Sequence, residues 1–483
     1  MVNDNLKSKA THGAIWATLQ KFSTMGVSFI SGIILARLLA PDDYGCIGML
    51  AIFMALAENF IDGGFGSALI QKKKPTQNDY DTVFFFNIAM SVLLYAIIFF
   101  ASPLVAKFYN MPLLSDVLRW QGLVLFIYAL SVIQSNQIRK YLDFKKLAKI
   151  QIASSVLTLG ITIYFAYSGY GVWALVIQNI VAAFIPCVLY WITSKWRPKL
   201  NFSWTSFKEL FGFGSFMFLT HILRTLSSKI SGLLIGKYYT ASTMGYYSRA
   251  EHTSDIATMS ISSVLIQITY PLYSAVQDDK ERLINIIKHI TTTLSFFTTP
   301  LMCLLILIAK PLFLLLFTET WLPCVPYFQV LCVAGIASCL QAVNYQAISA
   351  IGKSKVMFGW EIVKRALGIA LQVGGLILFG LKGLLVGNVI SAWFAYFINI
   401  TMVSNHVGYK NYQQIKDLSP TFIVSFISVI LSYFSVELFN LSVYIDGLVK
   451  TAVFLFIYVI WALWFKPDAY IYAMSVVKSI IKK

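Results

Sequence analysis

Four cationic side chains fall inside long apolar stretches of the chain: Lys21, Arg224, Lys229 and Arg249. An ionisable group in such a setting is costly unless it meets water or a partner, so each is a candidate for function. A guanidinium engages phosphate bidentately, and an ammonium acts on it as a point charge. Lys21 and Arg224 are therefore read as a cationic clamp for a phosphate-bearing ligand. Arg224, Ser228 and Ser231 share a helix face by i, i+4, i+7 spacing. Lys229 lies about 140° round that helix from Arg224. The competing reading has Lys21 snorkelling to the nearer interface and Arg224 in a structural ion pair.

The stretch "GYYSRAEHTSDIATM" adds to this set. Arg249 is a candidate phosphate or sugar contact, and Tyr246 and Tyr247 offer ring faces on which sugars stack. Glu251 and Asp255 form an i, i+4 acidic pair, and Arg249, His252 and Asp255 lie near one face. A neutralised helix end explains these residues equally well. In "AENFIDGGFG", Glu58 and Asp62 are again i, i+4. Two carboxylates sharing a confined space can hold a proton or a sodium ion between them, the property that ion coupling needs. Pairing with Lys21 is the alternative. Glu361, Lys364 and Arg365 in "GWEIVKRALG" read as a basic anchor at a span end. No cofactor is expected beyond a coupling ion, H+ or Na+, and no catalytic or metal residue is assigned.

The elements that must position these groups follow from composition. The 483 residues are 58% hydrophobic and 12% charged, where soluble domains carry about 25% charged residues. Apolar stretches of roughly 20 residues recur, the length that crosses a hydrocarbon core. The fold class is an all-α polytopic membrane protein, and the alternating pattern of an outer-membrane barrel is not present. Fourteen helices are predicted, at 13–38, 45–68, 82–106, 114–138, 148–168, 171–194, 209–236, 245–273, 284–308, 323–350, 358–379, 383–404, 419–440 and 444–465. The first apolar stretch runs too long for a signal peptide and is read as a retained span. The six cysteines show no C-x-x-C pair and no metal spacing.

Of the 38 Lys and Arg, 27 fall at the termini and on one set of loops, seven on the other set and four inside spans. By the positive-inside rule both termini are cytoplasmic. The net charge of +17 is then topological, directed at anionic headgroups, and calls for no nucleic acid.

A repeat organises the spans. "ISGIILARLLAPDDYG" at 30–45 returns as "ISGLLIGKYYTASTMG" at 230–245, and further matches follow at similar offsets. Each copy holds six helices, an even number, so the repeats are parallel. The expectation is two parallel-related six-helix lobes, 1–200 and 201–410, with two extra helices and a tail in 411–483. Between the lobes, "KWRPKLNFSWTSFKELFGFGSF" is basic and aromatic. Pro198 stops the preceding helix, Ser206 and Glu209 fit a capping box, and Trp204, Phe207 and Phe211 suit the headgroup region.

"ARLLAPDDYG", "DGGFGSALIQKK", "LDFKKLAK" and "GYGVWALVIQ" resemble the polysaccharide transport family: Wzx-type, colanic-acid and lipopolysaccharide exporter-like flippases of the multidrug/oligosaccharidyl-lipid/polysaccharide superfamily. The resemblance covers the first 300 residues best. It implies alternating-access transfer of an undecaprenyl-pyrophosphate-linked oligosaccharide across the bacterial inner membrane, for O-antigen, capsule or exopolysaccharide assembly. Expected partners are this lipid-linked sugar, membrane lipids and polysaccharide polymerase or chain-length machinery. A drug or small-solute antiporter of the same superfamily is the alternative, disfavoured by the embedded cations and the extra helix pair. A membrane glycan polymerase or ligase is disfavoured by the shortness of every outward loop.

Overall fold

Local chemistry sets the helix limits. Helix α1 spans Val2–Leu38. Pro41 then opens α2 (Pro41–Asp62), where the Ala40 N–H donates to Asp43 Oδ2 at 3.0 Å, a carboxylate placed at the positive end of the helix. Gly63, in the left-handed region at φ 53°, ends α2, and the short α3 (Phe65–Gln71) follows. Thr76 and Asp79 form a reciprocal capping box at the start of α4 (Gln77–Tyr109): Asp79 N–H donates to Thr76 Oγ1, and Thr76 N–H to Asp79 Oδ2 at 2.8 Å. Next come α5 (Leu113–Lys140), α6 (Phe144–Tyr167, capped by Asp143) and α7 (Val172–Thr193).

The linker after α7 is non-helical from 194 to 203, so the helix ends at Thr193, ahead of Pro198 rather than at it. The cap of α8 (Trp204–Tyr238) differs from the expectation. Ser203, rather than Ser206, is the N-cap, accepting from Ser206 N–H at 3.3 Å. Glu209 is not a capping residue but pairs with Lys72 at 2.8 Å.

Helices α9 (Ala241–Ala275), α10 (Lys280–Leu307) and α11 (Ala309–Leu316) continue the chain, followed by a 3-10 turn at Glu319–Trp321. Helices α12 (Cys324–Ala350), α13 (Ser354–His406), α14 (Asn411–Glu437) and α15 (Val443–Phe465) complete it. This computed structural model describes residues 2–437, 441–472 and 474, and among them there is no strand. Helix α13 is nominally 53 residues long but is broken at Phe379 and Gly380, the latter at φ 62°. Its two arms fold back on each other so closely that a Cβ on Gly375 would lie 2.2 Å from the Gly383 carbonyl oxygen. Only glycine permits that approach.

Among the described residues, eleven helices are long and apolar enough to cross a membrane, with α13 counted once. Helix α8, the expected seventh span, is not among them: it has 35 residues, but Lys208, Glu209, His221, Arg224 and Lys229 dilute its apolar character. Much of the expected eighth span, 245–273, lies outside the residues whose side chains are described.

The chain divides into two compact units, Met1–Ser248 and Arg249–Lys483. In the first, α4 packs on α5, α1 on α6, α7 on α5 and α6, and α8 on α2 and α3. One of its cores joins Phe65, Val83, Phe84, Ile133 and Trp196. In the second, α12 packs on α10 and α13, and α14 on α10 and α15. There Phe296, Tyr458 and Ala462 form a core, and the Tyr458 hydroxyl donates to the Phe296 carbonyl at 2.8 Å.

Candidate functional site

In the first unit, Lys21 sits half-buried on α1. On α8, Arg224 is exposed and Lys229 half-buried. Among the described residues, none of these three side chains makes a hydrogen bond or an ion pair, and no bond joins Lys21 to Arg224. Ser228, on the Arg224 face, is exposed, whereas Ser231 is buried.

Glu58 and Asp62 are both half-buried on α2, and the contact of α2 with α8 surrounds them with polar groups. Asn59 Nδ2 donates to Thr225 Oγ1 at 2.7 Å, and the Phe60 and Phe218 rings meet at 5.0 Å. Asp62 lies against the turn at Gly64–Gly66 and within electrostatic reach of His221. Tyr128 of α5 lies within reach of both carboxylates and of Arg139. A Cβ on Gly66 would fall 2.7 Å from Asp62 Oδ1 and 2.9 Å from Asn136 Nδ2, so Asn136 belongs to the same cluster. The sequence singled out the two acids, but their neighbours Asn59, Tyr128 and Thr225 went unseen. Asn59 and Thr225 are 166 positions apart, and no local spacing joins them.

Tyr246 is half-buried, while Tyr247, with 2% exposure, has its ring covered. In the second unit, Arg249 is 4% exposed, and its guanidinium stacks between the rings of Phe317 and Trp321, each 5.4 Å away. Such aromatic faces attract a desolvated cation. Glu251 is half-buried, and His252 and Asp255 are exposed. The candidates thus fall in both units: the α2 acids with the α8 cations in the first, Arg249 with Glu251 and Asp255 in the second.

Glu361, Lys364 and Arg365 are more than a surface anchor. Lys364 Nζ lies 2.7 Å from Glu361 Oε2 and donates to Asn399 Oδ1 at 3.1 Å, which ties the two arms of α13 together. Asn399 in turn donates to the Gln341 carbonyl of α12 at 3.3 Å, and Arg365 Nε and Nη2 both donate to Glu361 Oε1. Among the described residues, no group of three or more His, Cys, Asp or Glu is placed to hold a metal ion. The six cysteines are free thiols.

Residues 34–326, more than half of the chain, match the family described as "Polysaccharide biosynthesis protein". The chain belongs to this family. Among its relatives, the teichuronic acid biosynthesis protein TuaB of Bacillus subtilis (strain 168) is 25% identical over 76% of this chain and 77% of its own. The lipopolysaccharide biosynthesis protein WzxC of Escherichia coli (strain K12) is 22% identical over 89% of this chain and 88% of its own. A solved structure of the lipid II flippase MurJ in an inward closed conformation superposes with a TM-score of 0.74, covering 93% of this chain and 99% of that one at 16% identity. At that identity the likeness is one of fold. This member of a polysaccharide biosynthesis family is an integral, multi-pass membrane protein with a transporter fold.

Proposed function

We propose that the chain is a flippase that moves an undecaprenyl-pyrophosphate-linked oligosaccharide across the bacterial inner membrane by alternating access, for surface polysaccharide assembly. The observation that carries this reading is the set of cations on α1 and α8, Lys21, Arg224 and Lys229, that have no bonded acceptor among the described residues. A cation facing hydrocarbon costs about 3 kcal/mol at the centre of a membrane helix, so an exposed guanidinium on a membrane helix belongs in water or against an anion. A pyrophosphate headgroup is such an anion, and the fork of Arg224 matches it bidentately. Tyr246 is the partly open stacking face for the sugars. Arg249 and Tyr247, both buried, are the remaining candidates for phosphate and sugar contact.

The same reading counts α8, α9 and the two arms of α13 as spans, which makes fourteen, grouped as two parallel-related lobes, 1–200 and 201–410, with α14, α15 and the tail in 411–483. The 27-to-7 division of basic residues puts both termini in the cytoplasm. Glu58 and Asp62, with Glu251 and Asp255, are the candidate groups for coupling to H+ or Na+. Polysaccharide polymerase or chain-length proteins would take the delivered sugar. These relatives, named for teichuronic acid and lipopolysaccharide biosynthesis, and the likeness to a lipid II flippase support the substrate class.

The test is the leaflet location of the lipid-linked oligosaccharide in cells lacking the protein, with wild type or Arg224→Ala restored. Accumulation on the cytoplasmic leaflet that only wild type clears is the expected result. An intermediate that still reaches the outer leaflet, with no paralogue present, would remove the flippase reading in favour of a small-solute antiporter.

A further inference from the structure

The basic residues around the linker between α7 and α8 fall into two groups. In the first, each side chain is bonded to the chain itself. Arg197 Nη1 donates to the carbonyls of Ser194 at 2.7 Å and Trp196 at 2.8 Å, and its Nη2 to that of Trp191 at 3.0 Å. Lys146 donates to the Thr193 carbonyl. Lys72 lies between Asp79 and Glu209 at 3.1 and 2.8 Å. Lys140 donates to the carbonyls of Leu69 and Ile70, both at 2.9 Å. The second group is Lys195, Lys199 and Lys208, all exposed, whose ammonium groups make no bond among the described residues.

Beside these three ammoniums stand apolar side chains with equally little cover. Leu200 is 96% exposed, Trp204 65% and Phe202 46%. The segment cannot fold these rings inward, because its backbone is held against the start of α4. Lys199 N–H donates to Asp81 Oδ1 at 3.1 Å, Ser203 N–H to Thr82 Oγ1 at 3.0 Å, and Asn201 Nδ2 to Asn78 Oδ1 at 2.9 Å. Trp196 is buried and packs edge-on against Phe84, with ring centroids 5.4 Å apart. A fixed strip that presents aromatic rings and unengaged ammoniums together is unfavourable against plain water and favourable at the headgroup level. There the rings sit at the apolar boundary and each lysine gains from anionic lipid.

We propose that residues 195–208 form a docking strap for anionic phospholipid headgroups. Lys195, Lys199 and Lys208 bind the phosphates, and Leu200, Phe202 and Trp204 are seated at the acyl boundary. Arg197 holds the strap in shape and takes no part in the lipid contact. The proposal stands apart from the flippase reading, since it depends on neither the substrate nor its direction.

The experiment uses the full chain reconstituted in phosphatidylcholine vesicles containing brominated phosphatidylglycerol or, in parallel, brominated phosphatidylcholine at the same mole fraction. The difference in tryptophan quenching between wild type and Trp204→Phe isolates the Trp204 signal. A single lysine near a charged surface enriches anionic lipid about fivefold, so quenching of Trp204 by brominated phosphatidylglycerol should exceed that by phosphatidylcholine several-fold. Lys195→Gln/Lys199→Gln/Lys208→Gln should abolish the excess without changing the thermal melt. Arg197→Gln should keep the excess while lowering the melting temperature. An excess that survives the triple substitution overturns the proposal. So does an excess that inorganic phosphate competes away at matched ionic strength, which would make this a site for soluble phosphate.

Discussion

Ser242 donates a hydrogen bond to Asp42 Oδ1 at 2.8 Å, and the two residues stand 200 positions apart, the period of the repeat. The contact is reciprocal around them. A Cβ on Gly45 would lie 1.9 Å from the Ala241 carbonyl oxygen, and one on Gly245 would lie 1.9 Å from that of Pro41. Asp42 and Ser242 occupy equivalent positions of the two stretches, and the Gly45–Ala241 contact is the equivalent of Gly245–Pro41, the pattern of an isologous interface within a single chain. The "DDYG" and "STMG" endings of the duplicated stretch are thus the surfaces by which the starts of α2 and α9 recognise each other. Their glycines permit backbone to touch backbone.

A methyl group at Gly45 has no flexible neighbour to displace, because the atom it would strike is a backbone carbonyl. Gly45→Ala should therefore cost about 1–3 kcal/mol, the range for overpacking. Gly26→Ala on α1, where nothing lies within 4 Å, should be neutral or slightly stabilising by helix propensity. Thermal melts of the two purified variants make the comparison. Equal melting temperatures would show that the α2–α9 crossing is not tight.

Glu361 and Lys364 are 7% and 9% exposed, so their ion pair is buried, and breaking one side should cost more than replacing both. Glu361→Gln leaves the ammonium facing Asn399 and the Tyr345 ring, with an expected loss of about 3–5 kcal/mol. Glu361→Leu/Lys364→Met should lie nearer to wild type than either single substitution. Detergent-phase melting curves of the three variants test this, and a double variant worse than both singles would contradict it.

Lys72 lies outside the apolar spans. Burial pulls its ammonium down, but hydrogen bonds to Glu209 and Asp79 outweigh that and hold it above the ordinary lysine range. A group whose folded pKa is raised stabilises fully below the unfolded value and loses that contribution as pH climbs through the folded one. Stability should thus fall more steeply above pH 10.5 in wild type than in Lys72→Met. With Glu209 58% exposed, Glu209→Gln should cost no more than about 1 kcal/mol and should lose its effect at high salt. Melting temperatures across pH and salt series would check both.

Helix positions were legible because apolar length and period are local properties. The expected break between 379 and 383 lies where Gly380 interrupts α13, and the sixth expected span, 171–194, closes where α7 does, at Thr193. The partners of polar residues were not legible. Ser206 and Glu209 fit a capping box, yet Glu209 reaches Lys72 across 137 positions, and Ser203 has the geometry to cap instead. Likewise Lys364 looked like an interfacial anchor until Asn399, 35 residues on, gave it a buried acceptor. Charge at a helix end has the same local sequence whether it meets solvent or a folded-back arm. At the candidate site, spacing put Glu58 and Asp62 on one face, but Asn59–Thr225 and the approach of His221 exist only once α8 lies on α2.

Arg224 offers the sharpest test of the site. Its guanidinium is exposed on α8, and among the described residues it donates to no side chain or carbonyl. Removing it should leave the fold intact, because no native partner is orphaned. A hydrogen bond to a charged group is worth about 1.5–3 kcal/mol, so loss of a bidentate phosphate contact should reduce transport of the lipid-linked sugar by about 10–100-fold. Arg224→Lys keeps the charge without the fork and should fall between Arg224→Ala and wild type. Lys21→Ala, which removes a point charge from α1, should have the smaller effect, and the double variant should be less than additive if both cations hold one anion. The measurement is flipping of a fluorescent lipid-linked oligosaccharide in proteoliposomes, with a melt of each variant alongside. Wild-type flipping by Arg224→Ala would discard the clamp. Reduced flipping with an unchanged melt would place the loss in ligand contact, because a structural ion pair would have lowered the melting temperature as well.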